Sequence, residues 1–196
     1  GVRPMRILYH HRTQGVGVEG VHIRETVKAL QALGHTVDVV SPPGISVFDQ
    51  AEPSRRPPSA IRRFWRRISR RLPEIGFELM ELAYNGYALR ALARELSQAR
   101  YDAVYERYAI FNWAGASQAR RHGVPFLLEV NYTSWSPLSR MRHSSLRSLA
   151  HRIDRWLLRQ ADGIIVVSTV LRRHLVEDLG VPPHKILVRP NAADPS

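Results

Sequence analysis

The chain has no cysteine. That excludes disulfides and thiolate metal sites, and it fits a cytoplasmic protein, because disulfide frameworks belong to oxidising compartments. No apolar run approaches the roughly 18–20 residues of a membrane-spanning helix, and no internal repeat is present. Gly1-Val2-Arg3-Pro4-Met5 passes straight into a strand-like run, so we expect no secretory signal. No Ser-His-Asp or metal-ligand spacing stands out. His10 and His11 are neighbours at a strand end and so point to opposite faces, which leads us to expect no metal site. Acid is scarce as well: 17 Asp+Glu stand against 29 Lys+Arg, a formal net charge of +12. Such an excess favours polyanionic partners, namely nucleic acid, anionic lipid or phosphorylated substrates.

What is present reads as alternation. The 196 residues fit one domain, and the 44% apolar fraction is ordinary for a protein with a real core. Arg6-Ile7-Leu8-Tyr9-His10, Thr36-Val37-Asp38-Val39-Val40, Ala103 to Glu106, Pro125 to Val130, Gly163 to Val167 and Lys185 to Val188 predict six strands. They are continuously apolar rather than alternating, as strands covered on both faces are. Between them, helical periodicity runs over Val21–Leu33, closed by Gly34, and over Ile75–Ser97, Ile110–Arg121, Leu146–Arg159 and Thr169–Leu179. The pattern predicts an α/β fold, a doubly wound and mainly parallel Rossmann-like sheet. It occupies residues 1–190, with a basic insertion at about 53–72.

Gly15, Gly17 and Gly20 spell GxGxxG ahead of the first helix. Small residues at a helix N-terminus let backbone N–H groups approach an anion. As a dinucleotide fingerprint the context is off: His11-Arg12-Thr13-Gln14 intervene after the strand, Asp38 lies inside the second strand, and Ser41 stands at its end. An NAD(P)- or nucleotide-binding Rossmann module is therefore the alternative reading, and glycines that merely shape a surface loop are a third.

Four segments resemble the N-terminal domain of a family 4 (group 1) retaining glycosyltransferase of GT-B fold. They are Met5–Leu8 through the glycine loop to His22 and then Val27–Val37; Tyr101-Asp102-Ala103-Val104-Tyr105-Glu106-Arg107-Tyr108; Gly123 to Asn131; and Ala161-Asp162 through Pro190-Asn191-Ala192-Ala193-Asp194. The resemblance implies the acceptor-binding half of an enzyme that moves a hexose from a nucleotide-sugar to a glycan or lipid-linked acceptor, with retention and without a metal or other cofactor. It also implies that residues 191–196 begin a linker to a missing C-terminal donor-binding domain. This chain alone is then expected to be inactive, because donors that stabilise the leaving group are the largest catalytic contribution and would lie on the other half.

The resemblance maps Gly15, Gly17, Gly20 and His22 onto a cleft-facing substrate-binding loop. Glu106 and Arg107 end the third strand, while Glu129 and Asn131 end the fourth. Ligands gather at the carboxyl ends of strands in such sheets. Glu106 and Arg107 are candidate substrate-binding residues, and Glu129 and Asn131 candidate catalytic ones. The alternative is a Glu106–Arg107 or Glu129–Arg107 ion pair that holds loops. Many relatives carry histidine where Asn131 stands, and an amide orients by hydrogen bonds only. Ser168 reads as the N-cap of the helix that follows.

Arg62, Arg63, Arg66, Arg67, Arg70 and Arg71 surround an apolar stripe of Ile61, Phe64, Trp65, Ile68 and Leu72. Arg62–Arg63-Phe64-Trp65-Arg66-Arg67 with Arg70-Arg71 thus forms an interfacial pattern suited to the anionic inner face of a membrane, where each arginine contributes about 1 kcal/mol. A membrane-associated binding domain is a further alternative; a core-packed helix with a solvated basic face explains the same pattern. No reading motif accompanies the charge, so nucleic acid is not expected as a partner.

Overall fold

The computed structural model describes residues 3–13, 17–46, 48, 74–136 and 145–189. Gly15 and the whole arginine stripe, including Phe64 and Trp65, lie outside the described residues, as do residues 190–196.

Among the described residues, six strands and five α-helices alternate. They are β1 (Arg6–His10), α1 (Val18–Ala32), β2 (Thr36–Val40), α2 (Glu74–Gln98), β3 (Ala103–Arg107), α3 (Ala114–His122), β4 (Phe126–Val130), α4 (Arg147–Gln160), β5 (Gly163–Val166), α5 (Thr169–Glu177) and β6 (Ile186–Val188). A short 3₁₀ turn, Pro183–Lys185, precedes β6. The strands form one sheet of order β2-β1-β3-β4-β5-β6, and every pairing is parallel. This is the expected doubly wound, Rossmann-like sheet. No described helix is long and apolar enough to cross a membrane.

Period-two alternation sorts the core. Leu8, Val104, Leu128, Ile164 and Val166 face one side, where they join Leu92 and Leu96 of α2, Ala116 and Ala119 of α3, Leu157 of α4 and Leu175 of α5. Ile7, Tyr9 and Tyr105 face the other side with Ile23 and Val27 of α1. β3 is buried along its length and β1 from Ile7 onward, whereas β2 at the edge is half-buried. Because the chain leaves β1 for β2 on one side and then crosses to β3, the direction of winding reverses between β1 and β3.

Two helix starts differ from the periodicity. Helix α1 begins at Val18, three residues early, so Gly20 is a buried helical residue and not part of a loop. Gly17 supplies its N-cap at φ 73°, ψ −156°, a conformation open essentially only to glycine. Helix α3 begins at Ala114, not Ile110, because Phe111 is left-handed (φ 63°) and breaks the helical run ahead of it. Ser168 does cap α5, accepting the Leu171 N–H.

Candidate functional site

All strands being parallel, their carboxyl ends share one edge, and register decides which polar groups meet there. His10 stands opposite Glu106, and Arg107 opposite Glu129. Since Glu106 and Arg107 are consecutive, their side chains emerge on opposite faces. The structure therefore divides the predicted residues into two clusters rather than one.

On the α2–α5 face, His10 Nδ1 meets Glu106 Oε2 at 2.5 Å, both side chains fully buried. His10 Nε2 lies 3.0 Å from the Tyr84 hydroxyl. The Gly115 N–H donates to the same Glu106 Oε2 at 3.0 Å. A Cβ on Gly115 would overlap this carboxylate, lying 2.7 Å from Glu106 Cδ. Glycine is thus required for close approach, although the φ is unexceptional. Burial and the Glu106 carboxylate push the Tyr84 phenol well up, so it stays neutral.

On the α1 face, Arg107 Nη1 donates to Glu129 Oε1 at 2.6 Å. Tyr105 donates to Glu129 Oε2 at 2.9 Å, and Asn131 Nδ2 to Oε1 at 3.1 Å. Both oxygens of Glu129 are occupied, so the carboxylate orients its neighbours. Tyr9 stacks on Tyr105 with ring centres 5.0 Å apart. Burial first, then the Glu129 carboxylate, push both phenols up. Of the two ion pairs considered from sequence, the Glu129–Arg107 one forms, while Glu106 pairs with His10 instead.

Helix α2 outreaches the strands, and its first half stands over this edge. Glu81 holds Arg12 at 2.7 Å, and Glu78 accepts the Leu146 N–H ahead of α4. Asn85, almost fully buried, is the hub. Its Nδ2 donates to Phe111 O (2.7 Å) and Leu82 O (3.1 Å); its Oδ1 accepts the Trp113 and Ala114 N–H groups at 2.9 and 3.1 Å. An amide from a neighbouring helix thereby caps α3, which has no side-chain cap of its own. The chain Asn85–α3–Glu106–His10–Tyr84 closes on itself, tying the winding-reversal point to α2. Sequence reading missed these residues. The available signal was Glu78 and Asn85 lying at the helical spacing of Ala88, Leu92 and Leu96, since polar groups on a buried stripe need partners.

His11 faces away from His10, as expected. Its Nε2 lies 2.8 Å from Ser41 Oγ, and its Nδ1 3.4 Å from Thr13 Oγ1. Burial, and after it the His10 charge, lower its pKa from 6.5 to about 4. The folded value lies below the unfolded one, so the unfolded chain binds the extra proton between them. Stability is complete above pH 6.5 and is lost as pH falls toward 4, by about 3 kcal/mol in all. Urea unfolding at pH 7 and 4.5 should show this loss in the wild type and a shallower one in His11→Asn; equal slopes would refute it.

Gly17 and Gly20 begin α1 on the same face as Arg107 and Glu129, and His22 is half-buried in that helix. Asp38 binds Arg6 Nε at 2.8 Å and the Tyr101 hydroxyl at 2.9 Å, so the acid that a dinucleotide ribose would need is engaged elsewhere. Among the described residues no cluster of three or more His, Asp or Glu could hold a metal ion.

The sequence matches the model of the family described as Glycosyltransferase Family 4 over residues 19–196. Comparison with curated proteins gives no match. A glycosyltransferase from Rickettsia africae ESF-5 is 17% identical at a TM-score of 0.58, the match covering 97% of this chain and 44% of that one. S. aureus MnaA, solved with UDP, is 16% identical at a TM-score of 0.59, covering 94% and 43%. The UDP-GlcNAc 2-epimerase from Methanocaldococcus jannaschii is 13% identical at 0.55, covering 94% and 45%. The chain thus spans less than half the length of each of these structures. At such identity the likeness shows the fold alone, and a transferase and an epimerase share it. The family assignment therefore rests on the sequence match. The chain belongs to Glycosyltransferase Family 4, and its sheet is the Rossmann-like, N-terminal half of a GT-B architecture.

Proposed function

We propose that this domain is the acceptor-side half of an enzyme that transfers a hexose, with retention, from a nucleotide-sugar to a glycan or lipid-linked acceptor. The donor site belongs to a second domain, and this half alone is inactive. The observation that carries the reading is the Arg107–Glu129–Asn131 cluster at the carboxyl edge of a chain that matches the family almost throughout. Arg107 stays charged and fixed by Glu129, so it offers a positive charge in a set orientation. Asn131 uses its amide N–H on Glu129, which leaves its carbonyl oxygen to accept a hydrogen bond from an acceptor hydroxyl. Glu129 positions both and gives up neither oxygen to general-base work. Placing charge and dipole before the reaction is the physical source of their effect.

The test is nucleotide release from a panel of nucleotide-sugars by this domain joined to its donor-binding half. Release should need both halves. Arg107→Ala should lower kcat by about a hundredfold, whereas Asn131→Ala should act mainly on the KM for acceptor. Quenching of NADPH fluorescence by the domain alone, with no release by the joined protein, would favour the dinucleotide-module reading.

A further inference from the structure

We propose that a groove outside the strand-end clusters binds an anionic, phosphoryl-type group of the acceptor, held by Arg90 and Arg94. The groove has a volume of about 610 Å³ and runs between the end of β2 and the middle of α2. One wall is the turn Pro42–Gly44 with Ser41; the other is α2, with Tyr87, Arg90 and Arg94.

Arg90 and Arg94 are one turn apart, so their side chains are neighbours on the helix surface. Among the described residues neither has a carboxylate partner. Arg90 donates only to the Gly86 carbonyl, at 3.2 Å, and Arg94 makes no hydrogen bond or ion pair among the described residues. The acid on the same rim, Glu95, lies 3.4 Å from the Tyr101 hydroxyl. Two adjacent guanidinium groups without counter-charge repel each other, and an oxyanion that accepts from both planar forks removes that repulsion. The facing turn is fixed. The Ile45 N–H closes on Pro42 O at 3.1 Å, the Tyr87 hydroxyl donates to Ser41 O at 3.1 Å, and Gly44 is left-handed with open space where a Cβ would be. A phosphate fills a small part of the volume, which leaves room along Pro42 and Tyr87 for what the phosphate is attached to.

Ser41 joins the groove to the strand ends, since its hydroxyl reaches His11 Nε2. A phosphorylated acceptor seated in the groove therefore extends toward the edge where transfer is proposed. The inference rests on the transfer reading only for naming the anion as part of the acceptor. Both a soluble phosphorylated glycan and a lipid phosphate supply this chemistry.

Inorganic pyrophosphate titrated into the 196-residue chain by calorimetry at low salt tests the site. The Arg90→Ala/Arg94→Ala variant should bind about tenfold more weakly, and Arg90→Lys/Arg94→Lys should recover part of the loss. Because the chain is basic overall, Arg62→Gln/Arg63→Gln/Arg66→Gln/Arg67→Gln is the necessary control and should retain the wild-type affinity. Circular dichroism checks folding; should the alanine pair fail it, Arg90→Gln/Arg94→Gln replaces it. Unchanged affinity in the groove variant, or a loss confined to the Arg62–Arg67 variant, overturns the proposal. Cosedimentation with phosphatidic-acid vesicles separates the sources: loss in the groove variant identifies a lipid phosphate, while retained sedimentation beside lost pyrophosphate binding identifies a soluble one. Pyrophosphate binding involves no transfer, so its failure leaves the transfer reading standing, and absent nucleotide release does the reverse.

Discussion

Asn85→Leu should destabilise the domain by about 3–5 kcal/mol in urea unfolding, although leucine is the better helix former and fills a similar volume. The reason is the number of main-chain groups that Asn85 satisfies. Removing its amide strands the buried Ala114 N–H, leaves the half-buried Trp113 N–H without its acceptor and takes a donor from the Phe111 carbonyl, while the Leu82 carbonyl keeps its place in the helix. Each unpaired buried group costs about 1–3 kcal/mol, which exceeds anything regained from burying methyl groups. Asn85→Asp separates the two halves of the amide. A carboxylate still accepts from the α3 N-terminus, where the helix dipole favours it, but it cannot donate to Phe111 O. That variant should lose about 1–2 kcal/mol, and more as the pH rises and the buried carboxyl ionises. Hydrogen exchange at Gly115 should accelerate in Asn85→Leu before exchange in β4 and β5 does, since α3 is the element released. A loss below about 1 kcal/mol for the leucine variant would show that water replaces the amide without penalty.

Most of the sheet was legible because strand burial on both faces and helix periodicity are local signals. Leu8, Val104, Leu128 and Ile164 are apolar for the same reason that they are central. Gly34 closes its helix where expected, with a positive φ. The errors were non-local. Nothing near Phe111 in sequence announces that Asn85, on another helix, will hold the loop and delay α3. The strand-end acids were recognisable as candidates, since charge at a strand terminus in this fold class demands a use or a partner. Their grouping was not, because it depends on register. Parity alone states that Glu106 and Arg107 diverge, but only the order β1-β3-β4 tells which neighbour each one meets. The glycine loop ends sooner than the motif suggests, since Gly20 serves the packing of α1, while Gly17 requires a glycine backbone.

Gly115→Ala gives the complementary result, and its sign is the diagnostic. At an ordinary helical position alanine is more stable than glycine by about 1 kcal/mol, so open space around Gly115 would make the substitution stabilising. Here the added methyl meets Glu106, which is fully buried and gripped by His10 on its far side. The carboxylate cannot swing away without breaking its short contact to His10 and losing the Gly115 N–H, and no solvent is at hand to receive it. The expected outcome is a net loss of about 2 kcal/mol, overpacking outweighing the gain in helix propensity. Glu106→Ala removes the obstacle, so in that background Gly115→Ala should become neutral or stabilising. The two changes must then be non-additive by about 2–3 kcal/mol, measured as a double-mutant cycle in urea. Proton NMR supplies a second readout. The short His10–Glu106 contact should give a strongly downfield imidazole N–H in the wild type, shifted upfield or absent in Gly115→Ala and absent in Glu106→Ala. Stabilisation by alanine at position 115 in the wild-type background would mean that Glu106 yields freely. The closed chain from Asn85 to Tyr84 would then be a set of independent contacts, with no rigid coupling between α2 and the point where the sheet reverses its winding.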